Sequence, residues 1–111
     1  KVIIVNYWAT WCAPCLIEIP NLIKLKEKYK DKAFQVIGIS VDDELADVQL
    51  FAKKRPFNYP VIMANRQIYS TFGIVSGVPT TLIIDKSGNI VERVVGYKPI
   101  KYLETAIKKL L

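Results

Sequence analysis

The only two cysteines in this chain stand two residues apart, in Trp11-Cys12-Ala13-Pro14-Cys15, between an apolar run and a helix-like run. That placement constrains the fold more than any other feature. A strand must end just before Cys12, and a helix must begin just after it. The spacing lets the two sulfurs meet across one helical turn, and the helix N-terminus offers unpaired N–H groups and positive dipole charge to a thiolate. The thiolate is the nucleophile of disulfide exchange, so the pair suits reversible redox chemistry. A purely structural bridge is the competing reading. A loop this short restricts the unfolded chain little and would stabilise weakly.

Absences narrow the chemistry further. No histidine occurs anywhere, which removes imidazole general bases, Ser-His-Asp triads and His-ligated zinc or copper. Two cysteines supply at most half of a zinc site, so no metal and no cofactor beyond the cysteine pair is expected. The net charge of +6 comes from lysines scattered along helix-like stretches. With no arginine-rich stripe and no interleaved aromatics, a nucleic-acid partner is not expected. No run of about 18 apolar residues suggests a membrane span. The 111 residues suffice for one domain, 1–111, with a sizeable core. The chain opens directly in the strand-like Lys1-Val2-Ile3-Ile4-Val5 without Met. We read it as trimmed at its N-terminus, with a possible membrane anchor outside it.

Periodicity orders the elements. Val2 to Val5 is a continuous apolar run, as in a strand buried on both faces, and residues 6–11 form the approach to the cysteines. Leu16, Ile19, Leu22, Ile23 and Lys26 recur at helical spacing from Ala13 to about Tyr29, with a kink expected at Pro20. Phe34 to Val41 reads as a strand. Asp42 or Asp43 is positioned to cap a helix ending near Lys54. A short extended piece at 59–63 follows, then a short helix from Asn65 to Phe72 closed by Gly73. Thr80 to Ile84 and Ile90 to Val95 flank the turn Asp85-Lys86-Ser87-Gly88-Asn89, and a last helix begins at Pro99. The expected fold is α/β in the order β-α-β-α-β-α-β-β-α. The sheet is mixed, with helices on both faces, because right-handed βαβ units make the first strands parallel and the tight turn makes the last two antiparallel.

Trp-Cys-x-x-Cys after a first strand, with Gly77-Val78-Pro79-Thr80 before a later one, resembles the thioredoxin superfamily over essentially the whole chain. Within it, Asn6 through Cys15 followed by Glu18 and Pro20 resembles the TlpA/ResA/DsbE group of extracytoplasmic thiol–disulfide oxidoreductases. Ordinary thioredoxins carry a buried Asp where this chain has Asn6, and the group carries a Glu at the position of Glu18. The run from Phe57 to Phe72 matches the group's insertion. A departure is Leu16-Ile17, where group members often have basic residues; an exposed apolar residue there would change the docking face.

The resemblance implies roles. Cys12, the more exposed cysteine, would attack a substrate disulfide, and Cys15 would resolve the mixed disulfide. Trp11, Val78 and Pro79 would contact substrate, with Val78–Pro79 in the cis form and the backbone of Val78 open to strand pairing. For Trp11, core packing is nearly as plain a reading, and the two can coexist. Asn6, Ala13 and Pro14 would tune the pair. Glu18 lies one turn beyond Cys15; by spacing alone it reads as a surface glutamate. The resemblance favours a proton-transfer role instead, because an amide at Asn6 cannot titrate.

The function implied is reduction of protein disulfides, with cytochrome c maturation as a setting, by a monomer outside the cytoplasm that draws electrons from a membrane or soluble thiol donor. A general thioredoxin, a thiol oxidase and a non-enzymatic binding module remain alternatives. A thiol peroxidase fits less well. Peroxiredoxins need Pro-x-x-x-Thr/Ser-x-x-Cys, and counting back from Cys12 gives Ala9 and Val5, from Cys15 Cys12 and Trp8.

Overall fold

Alternation along the first strand decides which side chains meet which helix. A computed structural model describes residues 1–111. Its elements are β1 (Val2–Trp8), α1 (Ala13–Lys28), β2 (Phe34–Ser40), α2 (Leu45–Lys54), β3 (Val61–Met63), α3 (Arg66–Phe72), β4 (Thr80–Ile84), β5 (Ile90–Val95) and α4 (Ile100–Lys108). The five strands form one sheet in the order β3-β2-β1-β4-β5. β1 lies at the centre, parallel to β2 and antiparallel to β4. The element order and mixed sheet are those expected.

β1 runs three residues beyond the expected end. Asn6, Tyr7 and Trp8 pair with Gly38, Ile39 and Ser40 of β2, and Asn6 and Tyr7 also pair with Thr81 and Thr80 of β4. A strand flanked on both sides tolerates a polar residue when that residue finds partners, so Asn6 does not end it. Successive side chains point to opposite faces. Val2 and Ile4 pack with Leu22 and Leu25 of α1 and Leu103 and Ile107 of α4. Trp8 joins Cys12, Cys15 and Ile19 with Val48 of α2. Val5 and Tyr7 face the other way, toward Ile68, Tyr69 and Phe72 of α3. Asn6 shares the α1 face with Ile4 and Trp8, which places its amide beneath that helix.

Helix α1 runs unbroken through Pro20. At the start of α3, Asn65 accepts a hydrogen bond from the Ile68 N–H at 2.8 Å, and Gly73 ends the helix at φ 102. The backbone angle requires glycine there, whereas the one close atom a side chain would meet, Arg93 Nη2 at 2.7 Å, ends a flexible side chain that can move aside. No helix is long and apolar enough to cross a membrane.

The expected acidic cap on α2 is absent. The N-cap position is Glu44, which makes no side-chain capping bond. Asp42 lies too far upstream to reach the first turn, and its carboxylate is engaged by residues of two other segments.

Candidate functional site

The site begins where β1 hands over to α1. A turn closes with the Cys12 N–H donating to the Ala9 carbonyl at 3.2 Å. Cys12 then takes the N-cap position of α1 in extended conformation, and its Sγ accepts from the Cys15 N–H at 3.3 Å. A sulfur at this position meets the unpaired amides of the first turn, where negative charge is stabilised. Cys12 and Cys15 form a disulfide with Cα atoms 5.3 Å apart. Both are buried; Cys12 keeps 6% of its surface and Cys15 none. Ala13 and Pro14 are exposed between them in the first turn. Proline costs little there, since its missing N–H would have had no partner within the helix.

The Val78–Pro79 peptide is cis. Val78 packs against the cluster that holds Cys12 and Cys15, and the Pro79 carbonyl accepts from the Gly96 N–H at 2.7 Å. Trp11 is 69% exposed, which removes the core-packing reading for it. With Val41, Tyr69, Val75 and Val78 it lines a mostly apolar groove of about 360 Å³ beside the redox pair. Ile17 is also exposed on α1, an apolar surface residue where the resembling group often carries basic ones.

On the inner side of α1 sits Glu18, with no accessible surface. Its Oε1 accepts from Asn6 Nδ2 at 2.9 Å and, at a longer 3.5 Å, from Thr81 Oγ1. Its Oε2 accepts from the Lys98 N–H at 2.9 Å. Burial pushes the Glu18 carboxyl above its ordinary value, and the bonds from Lys98, Asn6 and Thr81 pull it only part of the way back. No cation pairs with it, which is why desolvation dominates. The surface-glutamate reading is thereby excluded. Asn6 Oδ1 is buried without a donor, so this small network holds one unused acceptor.

Sequence reasoning found the cysteines, Asn6, Glu18 and the Val78–Pro79 peptide, and the fold brings them to one end of the sheet. It missed Thr81 and the Lys98 amide as partners of Glu18, and it read Asp42 as a helix cap. Register could have found Thr81, since it stands opposite Asn6 on β4. Nothing local points to a backbone amide 80 residues from Glu18.

A thioredoxin-fold domain with a redox-capable cysteine pair at a helix N-terminus is the class that this fold and geometry define. The chain belongs to the AhpC/TSA family, whose profile matches residues 1–93. It is 35% identical to the thiol-disulfide oxidoreductase ResA of Bacillus thuringiensis over 111 residues, covering 99% of this chain and 64% of that protein. The chain thus spans between a little over half and a little under two thirds of the length of the curated relatives it matches. Among solved structures, it resembles a thioredoxin-family thiol:disulfide interchange protein from Chlorobium tepidum at TM-score 0.91 and 33% identity, covering 99% of this chain and 79% of that one. A DsbF homologue from Corynebacterium diphtheriae superposes at TM-score 0.87 and 31% identity, with 99% and 72% covered.

Proposed function

We propose that this chain is a thiol–disulfide oxidoreductase that reduces disulfides in protein substrates through Cys12 and Cys15. The observation that carries this reading is Cys12 Sγ at the N-cap of α1, hydrogen-bonded by the Cys15 N–H. In the reduced protein the Cys12 thiolate attacks one sulfur of the substrate disulfide. A Cys12–substrate bond forms, and the other substrate sulfur leaves as a thiolate. Cys15 then gives up its proton and attacks Cys12 Sγ. The Cys12–Cys15 bond closes, and the second substrate sulfur leaves. Two electrons pass from the dithiol to the substrate, and an external thiol donor restores the dithiol. No bound cofactor takes part.

Glu18, one turn beyond Cys15, is the proton acceptor, directly or through a water. Its raised affinity for a proton fits that task. When neutral it gains an O–H to donate, and a rotation of the Asn6 amide would offer Oδ1 to receive it. Trp11 and Val78 supply the apolar wall of the groove, and the Val78 backbone pairs with an extended substrate segment. Pro79 holds that segment's approach, while Ala13 and Pro14 tune the pair between them.

The resemblance to ResA favours a narrower substrate class, the cysteine pair of a C-x-x-C-H haem-attachment segment, met outside the cytoplasm. An oxidised peptide of that pattern should be reduced faster than a scrambled one; equal rates would leave only the general reductase. The decisive measurement for the wider reading is the reduction potential of the pair in thiol buffers. A value near ~ −270 mV supports a reductase, and one near ~ −120 mV would establish an oxidase instead. Consumption of hydrogen peroxide at rates matching disulfide turnover would favour a peroxidase.

A further inference from the structure

Asp42 is a buried carboxylate that neither caps a helix nor meets a cation. Its side chain is instead the hub of a cluster joining the end of β2 to the turn before Cys12. Thr10 N–H lies 3.0 Å from Oδ2 and 3.3 Å from Oδ1. Thr10 Oγ1 donates to Oδ1 at 2.5 Å. Ser40 Oγ donates to Oδ2 at 2.7 Å and accepts from the Asp42 N–H at 2.9 Å. Burying a carboxylate without a cation is costly, and charge-assisted bonds of this number and length are what offset it. The cluster would be a poor solution for a loop that only had to connect two elements.

What these bonds hold is the Ala9–Cys12 turn. Thr10 is its first corner residue and Trp11 its second. The Val41 N–H donates to the Trp8 carbonyl at 2.8 Å, so the β2 end is laced to the chain at Trp8, just before the turn, and at Thr10 within it. In the oxidised protein the disulfide also fixes Cys12. Once that bond opens, the covalent tie is lost, and the turn depends on its hydrogen bonds alone.

We propose that Asp42 is a positioning residue for Cys12: through Thr10 it clamps the turn so that Cys12 Sγ stays at the N-terminus of α1 in the reduced state. Trp11 is held on the groove wall by the same clamp. This rests on Cys12 being the attacking thiol, and the test separates the two claims.

The test is the pH profile of alkylation of the reduced protein by iodoacetamide, with the modified cysteine identified by mass. Rapid modification of Cys12 in the unaltered protein supports the attacking-thiol assignment, and slow modification overturns that assignment and this inference with it. In Asp42→Ala the rate at pH 7 should fall about tenfold and the midpoint should move to higher pH, as expected when a thiolate loses its place at a helix N-terminus. Asp42→Asn keeps an acceptor for the Thr10 N–H and should recover most of the rate. Thr10→Val removes one bond at nearly constant shape and should lie between, which keeps the proposal testable should Asp42→Ala not fold. Fast Cys12 alkylation with an unchanged profile in folded Asp42→Ala or Thr10→Val would overturn the clamp alone. So would Asp42→Asn behaving no better than Asp42→Ala.

Discussion

Two buried carboxylates flank the redox pair, and they are held in different ways. Glu18 lies beneath α1 and is met by two side chains and one backbone amide drawn from β1, β4 and the segment before α4. One of those contacts is long, and the neighbouring Asn6 Oδ1 has no donor. Asp42 lies beside the turn, and its donors come from Thr10 and Ser40 at short range. The difference separates two uses of a buried acid. With one long contact and an unused acceptor beside it, Glu18 suits the proton exchange proposed for it. Tightly bonded at both oxygens, Asp42 fixes geometry.

The largest expected effect lies on the Glu18 side. Glu18→Gln keeps the shape and most hydrogen bonds but cannot take a proton. Turnover with a protein disulfide should fall by about 10²–10⁴-fold, with the stopped-flow rate of mixed-disulfide formation unchanged, because Cys12 attacks before Glu18 acts. An equal loss in both steps would break the division of labour. On the Asp42 side the main effect is on stability. Asp42→Ala strands the Thr10 N–H and should cost about 1–3 kcal/mol in urea unfolding of the oxidised protein. Since the two clusters share no partner, the double variant should be additive within about 0.5 kcal/mol.

The pH dependence sharpens the comparison further. The folded Glu18 carboxyl binds its proton more tightly than the ordinary value of 4.5 because of burial. Its contribution to stability is therefore full below that value and is lost as pH rises through the folded value. Melting temperatures should fall for the unaltered protein relative to Glu18→Gln as pH climbs from 4 toward neutrality. Parallel curves for the two proteins would mean that Glu18 keeps its ordinary affinity. The smallest effect is expected at Ile17. As an exposed residue outside both clusters, Ile17→Lys should change stability by less than about 0.5 kcal/mol. It should still raise KM for a protein substrate while leaving a small disulfide unaffected, if the exposed apolar surface of α1 docks substrate.

Much of this molecule is local and therefore legible from its residues. The handover from strand to helix around Cys12, the Asn65 and Gly73 boundaries of α3 and the tight turn at 85–89 each rest on a few adjacent residues whose backbone preferences agree. A proton-handling part for Glu18 came only through the family resemblance, since spacing alone reads it as a surface glutamate, and its hydrogen bond with Asn6 is a product of the fold. Asp42 shows the limit. Val41-Asp42-Asp43-Glu44 reads as a helix start, and in isolation a carboxylate there has no better partner than the first turn of α2. Packing β2 against β1 brings Thr10 within reach across 32 positions of sequence, and two short bonds to the turn outcompete a cap. The residues by themselves thus determined the chemistry of the pair and the order of elements, because those depend on covalent spacing and local preference. Only the tertiary structure decided which donors each buried acid meets, because that depends on strand register and on which segments the sheet brings side by side.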